Sequence, residues 1–285
     1  MKARVGRWTL ARRAVAIAFF ALFVLAARGD LGWFHGTVAM TRTASLVTLT
    51  DPLAAAEVIA ASRGVPDAVL ATALLLLGFA ALFGPVFCSW VCPLGCALDL
   101  AQGARRALLT STGHRRAAWR RRALPRGLRF GVLGGVLGFA LVAGWPLFQA
   151  VSPIRLAVEA VAFGTVAAAV AIAALVVVEW FAPRLWCRGL CPLGAVYAVV
   201  GQRAPWRVRV DRRLAGRTPC NLCATHCDMG IEVMRDYSLA GRSSVDDASC
   251  TRCGACVDSC PSGVLALGFR SRGIQPTGEC NVPAC

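Results

Sequence analysis

The chain has 285 residues, of which 57% are hydrophobic, and its formal net charge is +16. Its mean hydropathy of +0.60 lies above the range of a soluble domain and therefore indicates an integral membrane protein. The arginines cluster beside apolar runs, as orientation in a bilayer requires, so the positive charge does not predict a nucleic-acid partner.

The first apolar run, residues 14–27, follows a basic N-terminal segment. Arg12 and Arg13 can extend their charged ends to the membrane surface, so this run predicts a first transmembrane helix. A cleaved signal peptide is the alternative, because Ala26 and Ala27 resemble the small residues before a signal-peptidase site. Residues 28–67 then form a loop with few charges.

Three further runs carry no charged residue, at positions 68–87, 130–148 and 160–178. Each is long enough to cross the roughly 30 Å hydrocarbon core of a bilayer. The densest block of arginines lies between the first two of these runs, which predicts that this loop is cytoplasmic. We therefore expect an all-α bundle of four transmembrane helices over residues 1–204, in the inner membrane, with both termini in the cytoplasm.

The membrane region contains an internal repeat. Asp51-Pro52-Leu53 matches Ser152-Pro153-Ile154, and each triplet is followed by an acidic residue, an apolar helix and a CxxxCPLG ending. These endings supply four cysteines, expected at the cytoplasmic membrane surface, with each pair on one helical face if its span continues: Cys88, Cys92, Cys187 and Cys191. Three interpretations stay open, which are a metal or cluster, a pair of redox dithiols, and close packing of helices around small side chains.

The C-terminal region, residues 205–285, contains CTRCGACVDSCP at positions 250–261, which repeats the C-x2-C-x2-C-x3-C-P run of bacterial ferredoxins. A second group lies upstream at 220–227. In such α+β domains the last cysteine of each run crosses to the other cluster, so one 4Fe-4S cluster is predicted on Cys227, Cys250, Cys253 and Cys256, and the other on Cys220, Cys223 and Cys260. Structural zinc and disulfides are alternatives that do not require the terminal C-P.

The upstream group, CNLCATHCDMGI, departs from the full pattern. Arg217 stands where a first ligand is expected, and Asp228 replaces the usual proline. The second cluster therefore has three cysteines. Its fourth position is open to Cys280 or Cys285 of the tail, to water or another exogenous group, or to no ligand, as in a 3Fe-4S cluster. In a different register His226 is a ligand.

The motifs FCSWVCPLG and WCRGLCPLG, the Asp51-Pro52-Leu53 loop, the four spans and the cysteine-rich C-terminal domain together resemble the NapH-type ferredoxin-type membrane proteins, with MauN and NosR as relatives. The resemblance covers nearly the whole chain. It implies a quinol dehydrogenase subunit, in contact with membrane lipid and the quinone pool, that passes electrons to a periplasmic ferredoxin-type protein or enzyme subunit. It leaves open an accessory role in maturing a periplasmic redox enzyme, and a role as a redox-sensing membrane regulator. Glu57, Glu159 and His35 are then candidate acceptors of quinol protons.

Overall fold

The computed structural model describes residues 6–29, 34–36, 40–43, 47–64, 67–111, 125, 127–215 and 220–269, and these are largely helical. Helix α1 covers Arg7–Arg28. Of the helices in these ranges, α1 alone is both long enough and apolar enough to cross a membrane, as judged by length and composition. Most of the basic loop between the second and third apolar runs lies outside the described residues.

The segment expected to be a loop between α1 and the second apolar run contains regular structure. Three short strands form an antiparallel sheet in the order β1 (Phe34–Gly36), β2 (Met40–Thr43) and β3 (Val47–Thr50). Helix α2 (Pro52–Ser62) follows immediately. The Asp51 side chain caps α2, because it accepts a hydrogen bond of 2.8 Å from the backbone N–H of Ala54.

The two halves of the internal repeat have matching elements. In the first half, α2 is followed by α3 (Asp67–Phe83), α4 (Phe87–Trp90) and α5 (Pro93–Ser111). The second half begins with α6 (Leu128–Ala143) and α7 (Leu147–Val151). It continues with α8 (Pro153–Phe163), α9 (Val166–Phe181), a π-helical turn (Trp186–Leu190) and α10 (Pro192–Gly201).

Two of the apolar runs are not single helices. The run 130–148 is interrupted after α6, where Gly144 takes a φ of 67°. The run 160–178 is divided between α8 and α9, where Gly164 takes a φ of 64°. Glycine is favoured in this left-handed region and ends a helix there, so both expected span boundaries were wrong. The resulting α6 and α9 have 16 residues each and α3 has 17.

The long helices face outward with large apolar side chains. Leu75, Val142 and Phe181 are 66%, 88% and 74% exposed. The interior is packed around the two CxxxCPLG segments, where Leu94 and Tyr197 are 1% and 2% exposed. A soluble protein rarely leaves so many large apolar side chains uncovered.

The C-terminal region has a small core of its own. Strands β4 (Trp206–Val210) and β5 (Leu265–Phe269) pair antiparallel, with Val210 opposite Leu265. Two short helices, α11 (Leu222–Thr225) and α12 (Ala255–Asp258), carry the cysteine segments. A π-helical turn (Met234–Ser238) lies between them. Buried aliphatic side chains fill the space between sheet and cysteines, among them Val208, Ile231, Val233 and Val245.

The C-terminal region is fastened to the helices by its cysteine loop. Arg252 has a φ of 55° and donates hydrogen bonds to the carbonyl oxygens of Gly201, at 2.9 Å, and Trp206, at 2.6 Å. The Ser89 hydroxyl donates to the carbonyl oxygen of Thr251 at 2.8 Å. These contacts place the downstream cysteine loop directly against the CxxxCPLG segments.

Candidate metal centres

The first candidate centre lies inside the C-terminal core. A cavity there is lined by four cysteines and by apolar side chains such as Ile231 and Val245. The cysteines are three from the downstream motif and one from the upstream group: Cys250, Cys253, Cys256 and Cys227. The backbone N–H of Ile231 donates to the Cys227 sulfur at 3.3 Å, a contact suited to a thiolate ligand. The structure thus brings together the four residues predicted for one cluster.

The second candidate centre has three cysteines. A cavity is lined by Cys220, Cys223 and Cys260, with other walls that include Met234, Ser238 and Ser262. Among the described residues, the lining of this cavity does not include His226, whose ring Nδ1 lies 3.0 Å from the carbonyl oxygen of Leu222 in its own helix. Cys280 and Cys285 lie outside the described residues. The fourth position therefore stays open.

The third candidate centre lies where the two halves of the repeat meet. Its cavity is lined by the four repeat cysteines Cys88, Cys92, Cys187 and Cys191. Ser249 and Thr251 of the C-terminal region form another wall. The centre therefore lies between the helices and the first centre.

Neither repeat pair lies on one continuous helix, so the expected common helical face is wrong. The helix is broken after α4 in the first half, and at the π-helical turn in the second half. Cys191 instead caps α10, with its sulfur accepting from the backbone N–H of Gly194 at 3.4 Å, and Cys92 makes the same contact with Gly95. Both sulfurs therefore sit at the positive end of a helix, where negative charge is favoured.

Burial distinguishes between the three interpretations of these cysteines. Burial raises the pKa of the Cys92 thiol to about 12, and it also raises the pKa of Cys88, Cys187 and Cys191. A redox dithiol needs an accessible thiol with a lowered pKa, so the dithiol interpretation is disfavoured. A metal or cluster deprotonates its thiol ligands even where burial opposes ionisation.

The walls of the third centre also carry hydrogen-bond donors that lack acceptors. Among the described residues, the buried Nε of Arg129 and the buried indole Nε1 of Trp186 have no hydrogen-bond partner. Both side chains line the four-cysteine cavity. Buried donors of this kind are costly unless an acceptor is present, and an iron–sulfur cluster held by four thiolates is an anionic acceptor. The residues present therefore fit such a group better than simple packing.

The three cavities differ from a site for one metal ion. Zinc holds its ligands at about 2.0–2.3 Å from a common point. In the described part of the chain, no three His, Cys, Asp or Glu side chains are grouped closely enough to hold a single ion. The cysteines of each centre instead line a shared cavity without meeting at one point, an arrangement that suits a multi-iron group better than a single ion.

Sequence reasoning missed the charged residues between the centres. Arg12 forms ion pairs with Asp99 and with Asp228, the latter at 3.1 Å, and Arg184 approaches both carboxylates at 3.8 Å. The replacement of the usual proline by Asp228 was the available signal. Its partners could not be read from the sequence, because Arg12 is 216 positions away.

The candidate proton acceptors have structural contacts. The Glu57 carboxylate is fully buried and accepts from the backbone N–H of Phe148 at 3.0 Å and from the Gln149 side chain at 3.1 Å. Glu159 lies 3.5 Å from Arg155. The side chain of His35 lies outside the described residues. Glu57 therefore joins α2 to α7 whether or not it also exchanges protons.

Comparison with known proteins agrees with this geometry. A family described as "4Fe-4S binding domain" matches residues 68–125 and 163–211, which contain the two CxxxCPLG motifs, and a second family with the same description matches 244–266. The ferredoxin-type protein NapH of Haemophilus influenzae is 31% identical, with 93% of this chain and 91% of the relative covered. The methylamine utilization ferredoxin-type protein MauN of Methylobacillus flagellatus is 32% identical, with 94% and 93% covered. NapH of Escherichia coli is 28% identical, with 94% and 91% covered. No solved structure matches the chain.

Proposed function

Since the chain belongs to the family of ferredoxin-type proteins that includes NapH and MauN, we propose that it is a membrane-bound electron carrier between the quinol pool and a periplasmic redox system. The 4Fe-4S binding domains of the family supply the electron-transfer groups. When bound, iron–sulfur clusters accept and release single electrons without rearranging their ligands. The protein's own task is then to hold them, to insulate them and to set their spacing.

The observation that carries this proposal is the division of the cysteines among three cavities. Cys227 of the upstream group lines the same cavity as three downstream cysteines. Cys260 of the downstream motif lines the other cavity, with the remaining two upstream cysteines. This crossing of the last cysteine of each run is typical of two-cluster ferredoxins, and the downstream run also carries their terminal C-P. We assign one 4Fe-4S cluster to each cavity of the C-terminal domain, residues 205–285. The cluster with three cysteines carries an atypical fourth ligand or is a 3Fe-4S cluster.

We assign a third cluster to the four repeat cysteines. They line a cavity between the helices and the C-terminal domain, and two of them, Cys92 and Cys191, are buried. Arg129 and Trp186 line the same cavity, and their buried Nε and Nε1 have no hydrogen-bond partner among the described residues. A group held there shortens the path between a quinol bound among the helices and the C-terminal domain. Cys88, Cys92, Cys187 and Cys191 are therefore relay ligands in this proposal.

Membrane insertion through four spans is supported by the outward apolar faces of the helices. Helices α3, α6 and α9 are about 24–26 Å long at a rise of about 1.5 Å per residue, close to the lower limit for crossing a bilayer. Their exposed side chains are large and apolar, including Leu75 and Phe181. The arginine-rich loop after α5 favours the cytoplasm, which places the C-terminal domain and all three centres on that side. Residues 1–204 then form the membrane domain.

Iron analysis tests this proposal directly. We expect the anaerobically purified protein to contain iron and acid-labile sulfide in excess of what two clusters bind, and to give cluster EPR signals after reduction. Cys88→Ser should lower the iron content by about one cluster while the signals of the C-terminal clusters persist. Zinc in place of iron and sulfide would overturn the assignment, and an iron content that Cys88→Ser leaves unchanged would restrict the clusters to the C-terminal domain.

A further inference from the structure

A buried network of charges lies between the third centre and the first. Its most deeply buried members are two arginines and two carboxylates, contributed by α1, α5, the segment before the π-helical turn and the C-terminal domain: Arg12, Asp99, Arg184 and Asp228. All four are between 3% and 7% exposed. The half-buried Arg13 and Arg106 also pair with Asp99 and Asp228, at 2.6 and 3.1 Å. Burying four charged groups is expensive, and such a network seldom stabilises a protein more than apolar packing would.

The ends of this network reach the cysteines of two different centres. Arg184 lies three residues before Cys187 of the third centre and 3.8 Å from the carboxylate of Asp228. Asp228 follows Cys227 of the first centre directly and pairs with Arg12 at 3.1 Å. The network therefore adjoins ligands of two centres, and Asp228 interacts electrostatically with Cys187 of the third and Cys253 of the first.

Arg184 is held in an unusual backbone conformation. Its φ is 59°, in the left-handed region that costs energy for a residue with a side chain. Its guanidinium also donates to the carbonyl oxygen of Gly95, at 3.4 Å, next to the first repeat motif. This strained backbone conformation places the positive charge of Arg184 beside both repeat motifs.

We propose that the charges of this network set the reduction potentials of the two centres together. The inference rests on the proposed function. In the transfer step, one electron leaves the group held by the four repeat cysteines and arrives at the cluster held by Cys227 and the downstream cysteines, with no bond made or broken. Added negative charge at either centre is stabilised by the neighbouring arginine and opposed by the carboxylate they share. Because Asp228 faces both centres, a change there moves both potentials in the same direction.

Charge-neutralising variants test the network through the sign of the shift. Arg184→Gln should lower the midpoint potential of the third centre, and Arg12→Gln that of the first. Asp228→Asn, which keeps the shape of the side chain, should raise both. We expect shifts of about tenfold in the reduction equilibrium, which is about 59 mV for one electron. The measurement is an EPR-monitored redox titration of the purified holoprotein.

Matched controls distinguish an effect of these charges on the reduction potentials from a purely structural role of the network. Asp246→Asn and Arg235→Gln alter exposed charges in the same domain and should leave both potentials unchanged. A purely structural network would move the potentials in one direction for Arg and Asp variants alike, or not at all, and either result overturns the proposal. If the glutamine variants fail to fold, Arg184→Lys and Arg12→Lys, which keep the charge, should leave both potentials near those of the wild type, and Asp228→Asn then tests the sign of the shift. A shift in the lysine variants as large as that in Asp228→Asn would overturn the proposal. A wild type without a third centre refutes the relay assignment, and Arg12→Gln and Asp228→Asn then still decide the proposal at the first centre.

Discussion

Asp228 shows how much a single residue of the sequence can and cannot disclose. The sequence shows that Asp228 stands where ferredoxin loops have proline. It does not show why a carboxylate is present, because the ion-pair partners Arg12, Arg106 and Arg184 lie on distant segments. Spacing within a motif is local information, whereas the partners of a buried carboxylate are tertiary.

The exchange of cysteines between motifs gives a residue-scale prediction. Cys227→Ser should abolish the same cluster signal as Cys253→Ser, although Cys227 belongs to the upstream motif, because both line one cavity. Cys260→Ser should instead match Cys223→Ser, since those two line the other cavity. EPR spectra of the reduced variants distinguish the pairs. If Cys227→Ser reproduced the spectrum of Cys223→Ser, the assignment of ligands would be wrong.

Asp51 gives a pH-dependent prediction. Burial raises the pKa of its carboxyl to about 6, so the folded state holds the proton more tightly than the unfolded chain. The stability that Asp51 contributes is therefore present at acidic pH and is lost as the pH rises through about 6. Asp51→Asn keeps an acceptor for the N–H of Ala54 but does not ionise. The melting temperature of the variant relative to the wild type should rise between pH 5 and pH 8 in detergent.

The second half of the repeat supplies a control for Asp51. Ser152 occupies the equivalent position before α8 and does not ionise in this range. Ser152→Ala should therefore give a difference from the wild type that is independent of pH. A difference for Asp51→Asn that is equally flat would show that Asp51 does not titrate between the two pH values.

At the scale of elements, apolar runs predicted the existence of helices better than their limits. Helices lie within all four runs, but glycines at 144 and 164 end helices inside two of them. The triplet at 51–53 was expected to lie in a loop, yet it and the triplet at 152–154 each start an 11-residue helix with proline at its first position. Asp or Ser directly before Pro predicts the start of a helix. This signal is easily overlooked here because both triplets adjoin long apolar runs.

Helix α1 is capped by a residue of another domain. Gly6 provides no side-chain cap, and the Asp258 carboxylate instead accepts from the backbone N–H groups of Trp8, at 3.2 Å, and Thr9, at 2.8 Å. A cleaved signal peptide would lose this contact and the ion pairs of Arg12, so we propose that α1 is retained.

The cap gives an element-scale prediction. Asp258→Ala should destabilise the protein by about 0.5–2 kcal/mol, the usual cost of losing an N-cap. It should also speed proteolysis near Gly6 while the cluster signals persist. Asp246→Ala, a change of an exposed carboxylate in the same domain, is the matched control. Equal stability and equal proteolysis of the two variants would show that Asp258 does not hold α1.

At the scale of the whole molecule, sequence identified the cysteine groups but not their arrangement. Cluster chemistry fixes the spacing of the ligands along the chain, so one sequence is enough to identify the cysteine groups. The sequence left open whether the two repeat motifs meet at one cavity, because this depends on how α10 packs against α3 and how α9 packs against α5. The contacts of Arg252 with Gly201 and Trp206 then hold the C-terminal domain against that cavity. The third candidate centre therefore lies next to the first, with Met229 and Thr251 lining both cavities.

Reduction of the C-terminal clusters by quinol, followed in the Cys92→Ala/Cys191→Ala double variant, tests the central claim most directly. The wild-type protein, reconstituted in lipid, should show cluster reduction when a quinol is added. The double variant should insert and keep its C-terminal clusters, as judged by dithionite-reduced EPR spectra, yet quinol should no longer reduce them. Under a packing role each substitution costs about 1 kcal/mol and electron transfer is kept. Normal reduction of the C-terminal clusters by quinol in the double variant would contradict the relay.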